Sequence, residues 1–270
     1  MLRILDRLNR SLTWRLLSPV SNLPNGIEHR ASDEHAALLG ALQAAREQGF
    51  GVADRSLNVD ERAADSRASH FLAVDHRGQI VGAVRLFVVD RRREPLTARL
   101  LVGFGRITFP SPADEMRHLA ALERWLASTT QESMFVYAGG FFTTGRWRGS
   151  GLAVVLGMAA IAMARLHGSR HSASFASTQD HALLLFDLLG ARPLEEAPGR
   201  ALEPFAVPRF DIPVRAMTFD SLQPDPSIEA GVQAMVGQMR RMKALAPPPR
   251  GESFPTQVAA PSALSAAGAP

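Results

Sequence analysis

The sequence predicts an α/β fold in which a mixed central sheet is flanked by helices. A turn signal, Asp75-His76-Arg77-Gly78, separates two apolar runs and predicts a β-hairpin. The stretch 134–166 changes from an aromatic and β-branched run to a long apolar run, which predicts a strand followed by a buried helix. A short strand at 172–176 follows. A strand, a helix and a strand in succession predict a parallel pair joined by a right-handed crossover.

The composition excludes several function classes. A chain of 270 residues that is 46% hydrophobic and 21% charged is typical of one soluble globular domain with appendages. The absence of cysteine excludes disulfides, thiolate zinc sites and a cysteine nucleophile. Lys243 is the only lysine and lies near the C-terminus, which argues against a P-loop NTPase or a Schiff-base enzyme. The net charge of +4 comes from scattered arginines, so we expect no nucleic-acid partner, and the scattered histidines predict no metal.

The N-terminal stretch 1–17 has leucines at helical spacing with arginines among them, which predicts an amphipathic basic helix. The arginines interrupt every candidate apolar core of a signal peptide, so we expect a cytoplasmic protein. The helix either packs on the domain or contacts a membrane surface or an acidic carrier protein. We divide the chain into this helix with a connector (1–25), a globular domain (26–246) and a Pro/Ala/Ser-rich tail (247–270) that we expect to be disordered.

The rest of the domain is predicted from local signals. After a short strand at 26–30, Ser32 or Asp33 caps a helix that runs to Gln48. The stretch 48–69 is polar and contains acidic residues, and it is either a substrate-side loop or a solvated loop. Further elements are predicted as a strand over 98–109, helices over 112–128, 179–189 and 227–244, and strands over 192–194 and 214–219.

A basic, glycine-containing turn separates the central strand from the buried helix; it reads Arg146-Trp147-Arg148-Gly149-Ser150-Gly151. A helix start exposes unpaired backbone N–H groups and the positive end of the helix dipole, so it favours phosphate. Gly149 and Gly151 allow the backbone to close on an anion, and the two arginines add charge. The alternative is an ordinary turn whose arginines face solvent.

The pattern Arg-x-x-Gly-x-Gly at Arg146, Gly149 and Gly151 resembles the acyl-CoA motif of the GNAT acyltransferase superfamily. It lies between a strand with two central glycines, which predict a bulge or a close approach of another chain, and a buried helix. The resemblance covers about residues 26–220 and includes the closing stretch LFDLLGARPLEE. The front half is similar to the acyl-homoserine-lactone synthases and the N-acyl amino acid synthases, through REQGF, an acidic loop with Asp60, and IVGAVRLF with Arg85 inside its strand.

This resemblance implies a GNAT-like acyltransferase domain with a mixed, mostly antiparallel central sheet, a splayed parallel strand pair and flanking helices. Such enzymes move an acyl group from acyl-CoA, or from the phosphopantetheine of an acyl carrier protein, to the amine of an amino acid or another small amine. The central strand would separate from strand 172–176, and its free backbone groups would pair with the pantetheine arm. The donor-binding residues would be Phe141, Phe142, Thr143, Arg146, Trp147, Arg148, Gly149, Ser150, Gly151, Ser177 and Gln179. Ser177 and Gln179 are alternatively helix caps.

The sequence offers several candidates for the side chain that would act as the general base. A general base must reach the amine directly or through one water, and the candidates are Asp60, Glu61, His181 and His70. Each of them is alternatively a surface residue. Arg85 would hold a substrate carboxylate in a bidentate pair, or else form a structural salt bridge.

Two departures from the family pattern affect the predicted function. Phe186 stands where many members have a tyrosine that protonates the leaving thiolate, and Tyr137 is the only tyrosine of the chain. The central strand also has no counterpart of the glutamate that the lactone synthases carry. The alternatives are therefore a short-chain N-acetyltransferase using acetyl-CoA, or a catalytically silent acyl-CoA-binding module.

Overall fold

The computed structural model describes residues 1–19, 27–31, 33–50, 63–129, 131–178, 182–207 and 212–246. The helices are α1 (Leu2–Ser11), α2 (Asp33–Phe50), α3 (Ala98–Gly105), α4 (Pro112–Ser128), α5 (Leu152–His167), α6 (Ala182–Leu188) and α7 (Pro226–Arg241). The strands are β1 (Leu12–Leu17), β2 (His29–Ala31), β3 (Ser69–Asp75), β4 (Ile80–Asp90), β5 (Met134–Thr143), β6 (His171–Ser177), β7 (Arg192–Pro193), β8 (Glu195–Ala197), β9 (Arg200–Ala201), β10 (Phe205–Val207), β11 (Ile212–Asp220) and β12 (Ala244–Ala246).

One large mixed sheet organises the molecule. Its strand order is β10-β11-β6-β5-β4-β3-β1-β12-β2, with β7 also paired to β11, while β8 and β9 form a separate hairpin. The pairs β5–β6, β1–β12 and β12–β2 are parallel, and the other pairs are antiparallel. Helix α5 connects β5 to β6, as a parallel pair requires. The predicted fold class, a mixed and mostly antiparallel sheet flanked by helices, is confirmed.

Helices cover both faces of this sheet. On one face, α5 lies between the sheet and α7, so almost all of its side chains are buried. The packing with α7 is close, since a Cβ at Gly231 would come within 2.4 Å of Met158 Sδ. On the opposite face, α3 and α4 pack over one end of the sheet and α2 packs over the other. We call these the α5 face and the α2–α3 face.

The helix predicted over 1–17 is shorter than expected, because it ends at Ser11 and residues 12–17 form β1. This strand pairs with β3 along its whole length, with Leu12 opposite Asp75 and Leu17 opposite His70. The pattern LTWRLL suits either structure, and the hydrogen bonds offered by β3 decide for the strand. The apolar side of α1 is buried in the core through Leu5 and Leu8, while Leu2 is 46% exposed.

The strand predicted over 98–109 is wrong, because this stretch forms helix α3. The side chain of Thr97 accepts the N–H of Leu100 at 3.2 Å and caps the helix. The helix ends at Arg106, which adopts a left-handed conformation with φ of 52°. An apolar run of this length is compatible with a strand and with a short helix. The helix cap at Thr97 is the local signal that distinguishes the two.

The other predicted elements are present within a few residues of their expected bounds, although only 182–188 of the helix predicted over 179–189 is described. The tail 247–270 lies outside the described residues, so its disorder stays a prediction. Among the helices that are described, none is both long and apolar enough to cross a membrane.

Candidate active site

Strands β5 and β6 separate soon after they meet. They pair at Val136–Ser172 and at Tyr137–Ala173, and at no later position of these two fully described strands. Strand β6 nevertheless stays paired with β11 as far as Ser177. Strand β5 stays paired with β4 as far as Thr143. Beyond this point the facing edges of the two strands are therefore not hydrogen-bonded to each other. The separation of the strands that the sequence predicted is present. We call the space between these edges the β5–β6 gap.

Serine side chains hold the closed end of the gap together. The hydroxyl of Ser172 donates to the carbonyl oxygen of Val136, across the two strands. The hydroxyl oxygen of Ser169 accepts the N–H of Val136 at 3.1 Å and donates to the carbonyl of His171 at 2.8 Å. The point at which the strands part is thus set by buried hydrogen bonds.

A bulge in β5 accompanies the separation. The register between β4 and β5 shifts between Ala83 and Arg85, and Gly140 has a φ of 57°. This conformation costs an ordinary L-residue about 1–2 kcal/mol. A Cβ at Gly140 would also come 3.1 Å from Arg46 Nη2. The bulge predicted from the paired glycines is therefore present, and a bulge bends the strand that carries it.

The turn before α5 presents unused backbone N–H groups. Within it, the N–H groups of Trp147, Arg148 and Ser150 donate to carbonyls of the same turn. Gly149 and Gly151 both have positive φ values, of 74° and 87°, which suit glycine. In the described part of the chain, no acceptor is found for the N–H of either glycine. These groups and the dipole of α5 can therefore bind an anion.

The arginines of the turn differ in their surroundings. Arg146 forms an ion pair with the carboxylate of Asp75, and its guanidinium lies 5.9 Å from the ring centroid of Trp147. Burial alone would raise the pKa of Asp75, but hydrogen bonds from the N–H groups of Gln79 and Arg77 and the charge of Arg146 lower it. Arg146 still exposes 49% of its side chain. Arg148 is also exposed, so both charges can face an anion.

Helix α1 lies directly against this turn. Arg7 Nη2 donates to the carbonyl oxygen of Ser150 at 2.5 Å. A Cβ at Gly151 would come 2.7 Å from Ile4 Cγ2, so glycine is needed here for packing as well as for conformation. The N-terminal helix therefore adds a third arginine to the edge of the turn, a contact that the sequence did not predict.

On the α5 face, the gap borders a small apolar pocket of about 10 Å³. The pocket is lined by Ala138, Phe141, Gly157, Ala160, Ile161 and Phe219. The ring of Phe186 lies 6.0 Å from that of Phe141 and 5.4 Å from that of Phe219, measured between centroids. Phe186 is buried in this cluster and contributes no polar group to it. This side of the gap is therefore apolar.

On the α2–α3 face, the gap borders a buried ionic cluster. Arg85, whose register partner is Gly139, pairs with Asp65 at 3.2 Å between Nη1 and Oδ1. Arg46 of α2 also pairs with Asp65, and its Nη2 donates to the carbonyl of Gly140 at 3.3 Å. All three side chains are almost completely buried. The salt bridge of Arg85, one of its two expected roles, is present; a role in substrate binding stays a prediction.

His70 lies beneath this cluster. Its Nε2 is 2.8 Å from the backbone carbonyl of Asp65, and the ring is buried. Burial, together with the charge of Arg46, lowers the pKa of His70 well below its ordinary value. The ring is therefore neutral near pH 7, and a role for His70 as a base stays a prediction.

The structure brings together only part of the predicted site. Phe141 and the turn 146–151 border the gap, and Thr143 and Ser177 lie at its open end. Phe142 instead packs in the apolar cluster under α2, with Leu42 and Leu72. The predicted residues Asp60, Glu61, Gln179 and His181 lie outside the described residues and stay predictions.

Two features of the site were missed. The pairing of Asp65 with Arg46 and Arg85 was not predicted, although an arginine inside a central strand signals a buried partner. Tyr137 lies at the start of the gap, which the sequence did not predict. Its strand partner, Ala173, becomes known only from the register of β5 and β6.

The chain is similar in fold to several solved structures. No protein-family model and no curated protein matches the chain. Among solved structures, a mosquito arylalkylamine N-acetyltransferase-like protein 5b is 12% identical, with a TM-score of 0.46, over 77% of this chain and 99% of its own. The CoA-dependent acyl-homoserine lactone synthase BjaI, in a structure with SAM and isopentyl-CoA, is 15% identical, with a TM-score of 0.45, over 88% and 95%. An agmatine N-acetyltransferase mutant is 14% identical, with a TM-score of 0.46, over 78% and 99%.

These matches lie among GNAT acetyltransferases and an acyl-homoserine lactone synthase, the groups whose resemblance was noted from the sequence. With identities of 15% or less and TM-scores below 0.5, the likeness stops at the arrangement of the chain. It assigns no substrate.

Proposed function

We propose that this protein is an N-acyltransferase that moves an acyl group from an acyl thioester to the amine of an amino acid or another small amine. The observation that carries the proposal is the β5–β6 gap, where two adjacent parallel strands stop pairing while both continue. Open strand edges inside a sheet leave backbone donors and acceptors to be satisfied by a ligand. An extended arm with amide groups, such as pantetheine, provides matching partners.

The turn at 146–151 supports the donor end of this proposal. Its glycine N–H groups and the start of α5 bind a phosphate, and Arg146 and Arg148 add charge-assisted hydrogen bonds. The phosphate would be the diphosphate of an acyl-CoA or the phosphate of acyl-phosphopantetheine on a carrier protein. The acyl chain would pack against the apolar side chains of the α5 face, where the pocket would have to widen because it holds only about 10 Å³.

The opposite face supports the acceptor end. The amine attacks the thioester carbonyl, and a backbone N–H of the open β5 edge polarises the carbonyl oxygen. Holding the two reactants together contributes several kcal/mol, about 7–11 in the best cases. Asp60, Glu61 and His181 are the proposed bases, and Arg85 is proposed to hold a carboxylate of the acceptor in addition to its salt bridge with Asp65.

The test is thiol release by the purified full-length protein. Acetyl-, octanoyl- and palmitoyl-CoA are each supplied with a panel of amino acids and polyamines, and free thiol is followed with a chromogenic disulfide. We expect amine-dependent, saturable release with at least one pair. Ala substitution of Arg146 and Arg148 should raise the KM for the thioester, while Arg99→Ala, an exposed arginine on α3, should not. No release with any pair, and no thermal shift with any CoA ester, would overturn the proposal.

A second candidate function is an acyl-CoA-binding module without turnover. Phe186 favours it, because this buried ring occupies the place of the family's proton donor and offers no proton. In that case the CoA esters would raise the melting temperature while no thiol appeared with any amine. A short-chain acetyltransferase would instead release thiol with acetyl-CoA only.

A further inference from the structure

A second pocket lies beyond the closed end of the β5–β6 gap, and we propose that it binds a small carboxylate that carries an apolar or aromatic group. It lies where β6 begins and β11 ends, and the register pairs the first residue of β6, His171, with the last residue of β11, Asp220. The gap opens at the other end of β6, beyond Ala173. This β6–β11 pocket is therefore separate from the proposed acyl-transfer site, and its test does not depend on that reaction.

The β6–β11 pocket is much larger than the apolar pocket beside the gap. Its volume is about 220 Å³, whereas the pocket on the α5 face holds about 10 Å³. Pockets for drug-sized ligands typically have about 300–1,000 Å³, so this one suits a smaller molecule. Its walls include polar and aromatic side chains from α4, β6, β7 and β11, namely Trp125, His171, Arg192, Thr218, Phe219 and Asp220.

The two carboxylates in and beside this pocket already have partners. The carboxylate of Asp220 accepts two hydrogen bonds from the guanidinium of Arg170, at 3.0 and 2.9 Å, and one from the N–H of Leu222 at 2.9 Å. The carboxylate of Glu132 accepts the N–H groups of Arg170 and His171, both at 3.0 Å, and contacts Nδ1 of the His171 ring. Because their charges are compensated within the protein, these carboxylates do not favour a cationic ligand.

Arg192 supplies the charge that remains. Its backbone is fixed, since it pairs with Thr218 of β11 and its carbonyl oxygen accepts the Thr218 hydroxyl at 3.3 Å. Its side chain is exposed and forms no ion pair with any part of the chain that the structure describes. A guanidinium presents a planar set of N–H donors that matches a carboxylate. One guanidinium also balances the single charge of a carboxylate better than the double charge of a phosphate.

An aromatic wall selects the group that accompanies the carboxylate. Trp125 is half-buried, and its ring is nearly perpendicular to those of His171 and Phe135, with centroids 6.4 and 6.0 Å away. These neighbours hold the indole in place on α4. An apolar or aromatic group that covers the part of the indole still in water is stabilised by burial and by ring packing. The pocket therefore favours a carboxylate with such a group over a small inorganic anion.

The test uses the three tryptophans of the chain, Trp14, Trp125 and Trp147. Each gives one indole N–H signal in a proton–nitrogen NMR spectrum of the full-length protein, and Trp125→Phe identifies the signal of interest. The probe is phenylacetate, and its control is phenylacetamide, which has nearly the same shape and no charge. We expect phenylacetate to shift the Trp125 signal saturably and to leave the other two in place. The amide should bind at least about tenfold more weakly, because it lacks the charge-assisted hydrogen bonds.

Arg192→Gln tests the charge without disturbing the core, because this side chain is exposed. It should weaken phenylacetate binding by about tenfold or more, to the level of the amide. Arg240→Gln, which removes an exposed arginine near the C-terminal end of α7, should leave binding unchanged. Equal affinities for the acid and the amide, or no loss in Arg192→Gln, would overturn the inference. So would a Trp125 signal that phenylacetate does not move, or a shift confined to Trp147, which would place the probe at the turn 146–151.

Discussion

The two faces of the sheet differ most sharply at the β5–β6 gap. Tyr137 and Ala138 are adjacent in β5, yet alternation along the strand places them on opposite faces. Ala138 borders a pocket of Phe141, Ile161 and other apolar residues on the α5 face. Tyr137 lies on the α2–α3 face, which also carries the buried ionic cluster. One gap therefore offers a hydrocarbon environment on one side and a charged one on the other.

This difference suits a reaction between two unlike substrates. An acyl chain lowers its free energy by leaving water for the apolar side. An amine or a carboxylate needs the polar side, where burial without a partner would be costly. In the proposed reaction, the two substrates would meet between the parted strands, each on the face that suits its polarity. The two faces should also respond differently to substitution. Removing one member of an ionic cluster leaves the other buried charges without a partner. Truncating an apolar side chain instead lowers stability in proportion to the volume removed.

The largest expected effect comes from removing the shared carboxylate of the ionic cluster. In Asp65→Ala, the guanidinium groups of Arg46 and Arg85 lose their common partner while they stay buried. Breaking a buried pair in this way costs about 3–5 kcal/mol. Urea unfolding followed by circular dichroism measures the loss. Asp6→Ala, at an exposed position of α1, should change the free energy of unfolding by less than about 0.5 kcal/mol. Equal losses in the two variants would contradict the cluster's importance.

On the apolar face, Ile161→Ala should cost about 2–5 kcal/mol, depending on how far α5 and the sheet close the cavity. Because Ile161 lines the pocket, its truncation also enlarges the space beside the gap. If the acyl chain occupies this pocket, the preference should move toward longer acyl-CoA donors. The ratio of kcat/KM for octanoyl- and acetyl-CoA measures this change. An unchanged ratio would place the acyl chain elsewhere.

The turn at 146–151, the proposed phosphate site, should give an effect on binding, and loss of the Arg146–Asp75 ion pair should also lower stability. Arg146→Ala with Arg148→Ala should weaken thioester binding by about 1–3 kcal/mol, since each charge-assisted hydrogen bond contributes on that order. Calorimetric titration with a non-hydrolysable acyl-CoA analogue measures the Kd. Arg99→Ala serves as the control, because it removes one exposed arginine from α3. Unchanged affinity in the double variant would count heavily against the assigned donor site.

How much of this arrangement was predictable depends on how local each signal is. The bulge at Gly140 and the turn at Gly149 and Gly151 follow from glycines within a few residues, and both are present. The ionic cluster is not local, because Asp65 lies 19 residues from Arg46 and 20 from Arg85. Strand β1 was missed for the same reason, since its partners are β3 and the distant β12.

A smaller effect is expected from the bulge itself. In Gly140→Ala, the new methyl group must accept a φ of 57° and a contact of 3.1 Å with Arg46 Nη2. The left-handed conformation costs about 1–2 kcal/mol. The loss should appear in urea unfolding, and kcat should fall as the bulge shifts. Gly199→Ala is a matched control for stability alone, because it has a φ of 74°, open space around its Cβ and a place in the separate β8–β9 hairpin. A similar kcat in both variants would separate the bulge from the reaction.

The smallest expected effect is a change in how stability depends on pH, and it comes from the buried side chain of His118. The pKa of His118 is lowered first by burial, and the charge of Arg117 acts in the same direction. The unfolded chain therefore binds a proton below about pH 6.5 that the folded protein resists, so stability falls as pH falls below that value. The slope for one such group is at most about 1.4 kcal/mol per pH unit. His118→Phe, whose ring can pack against Phe109 and Phe205 as the imidazole does, should make the loss between pH 7.5 and 5.5 smaller. An unchanged pH slope would mean that His118 binds a proton equally well in the folded and the unfolded chain.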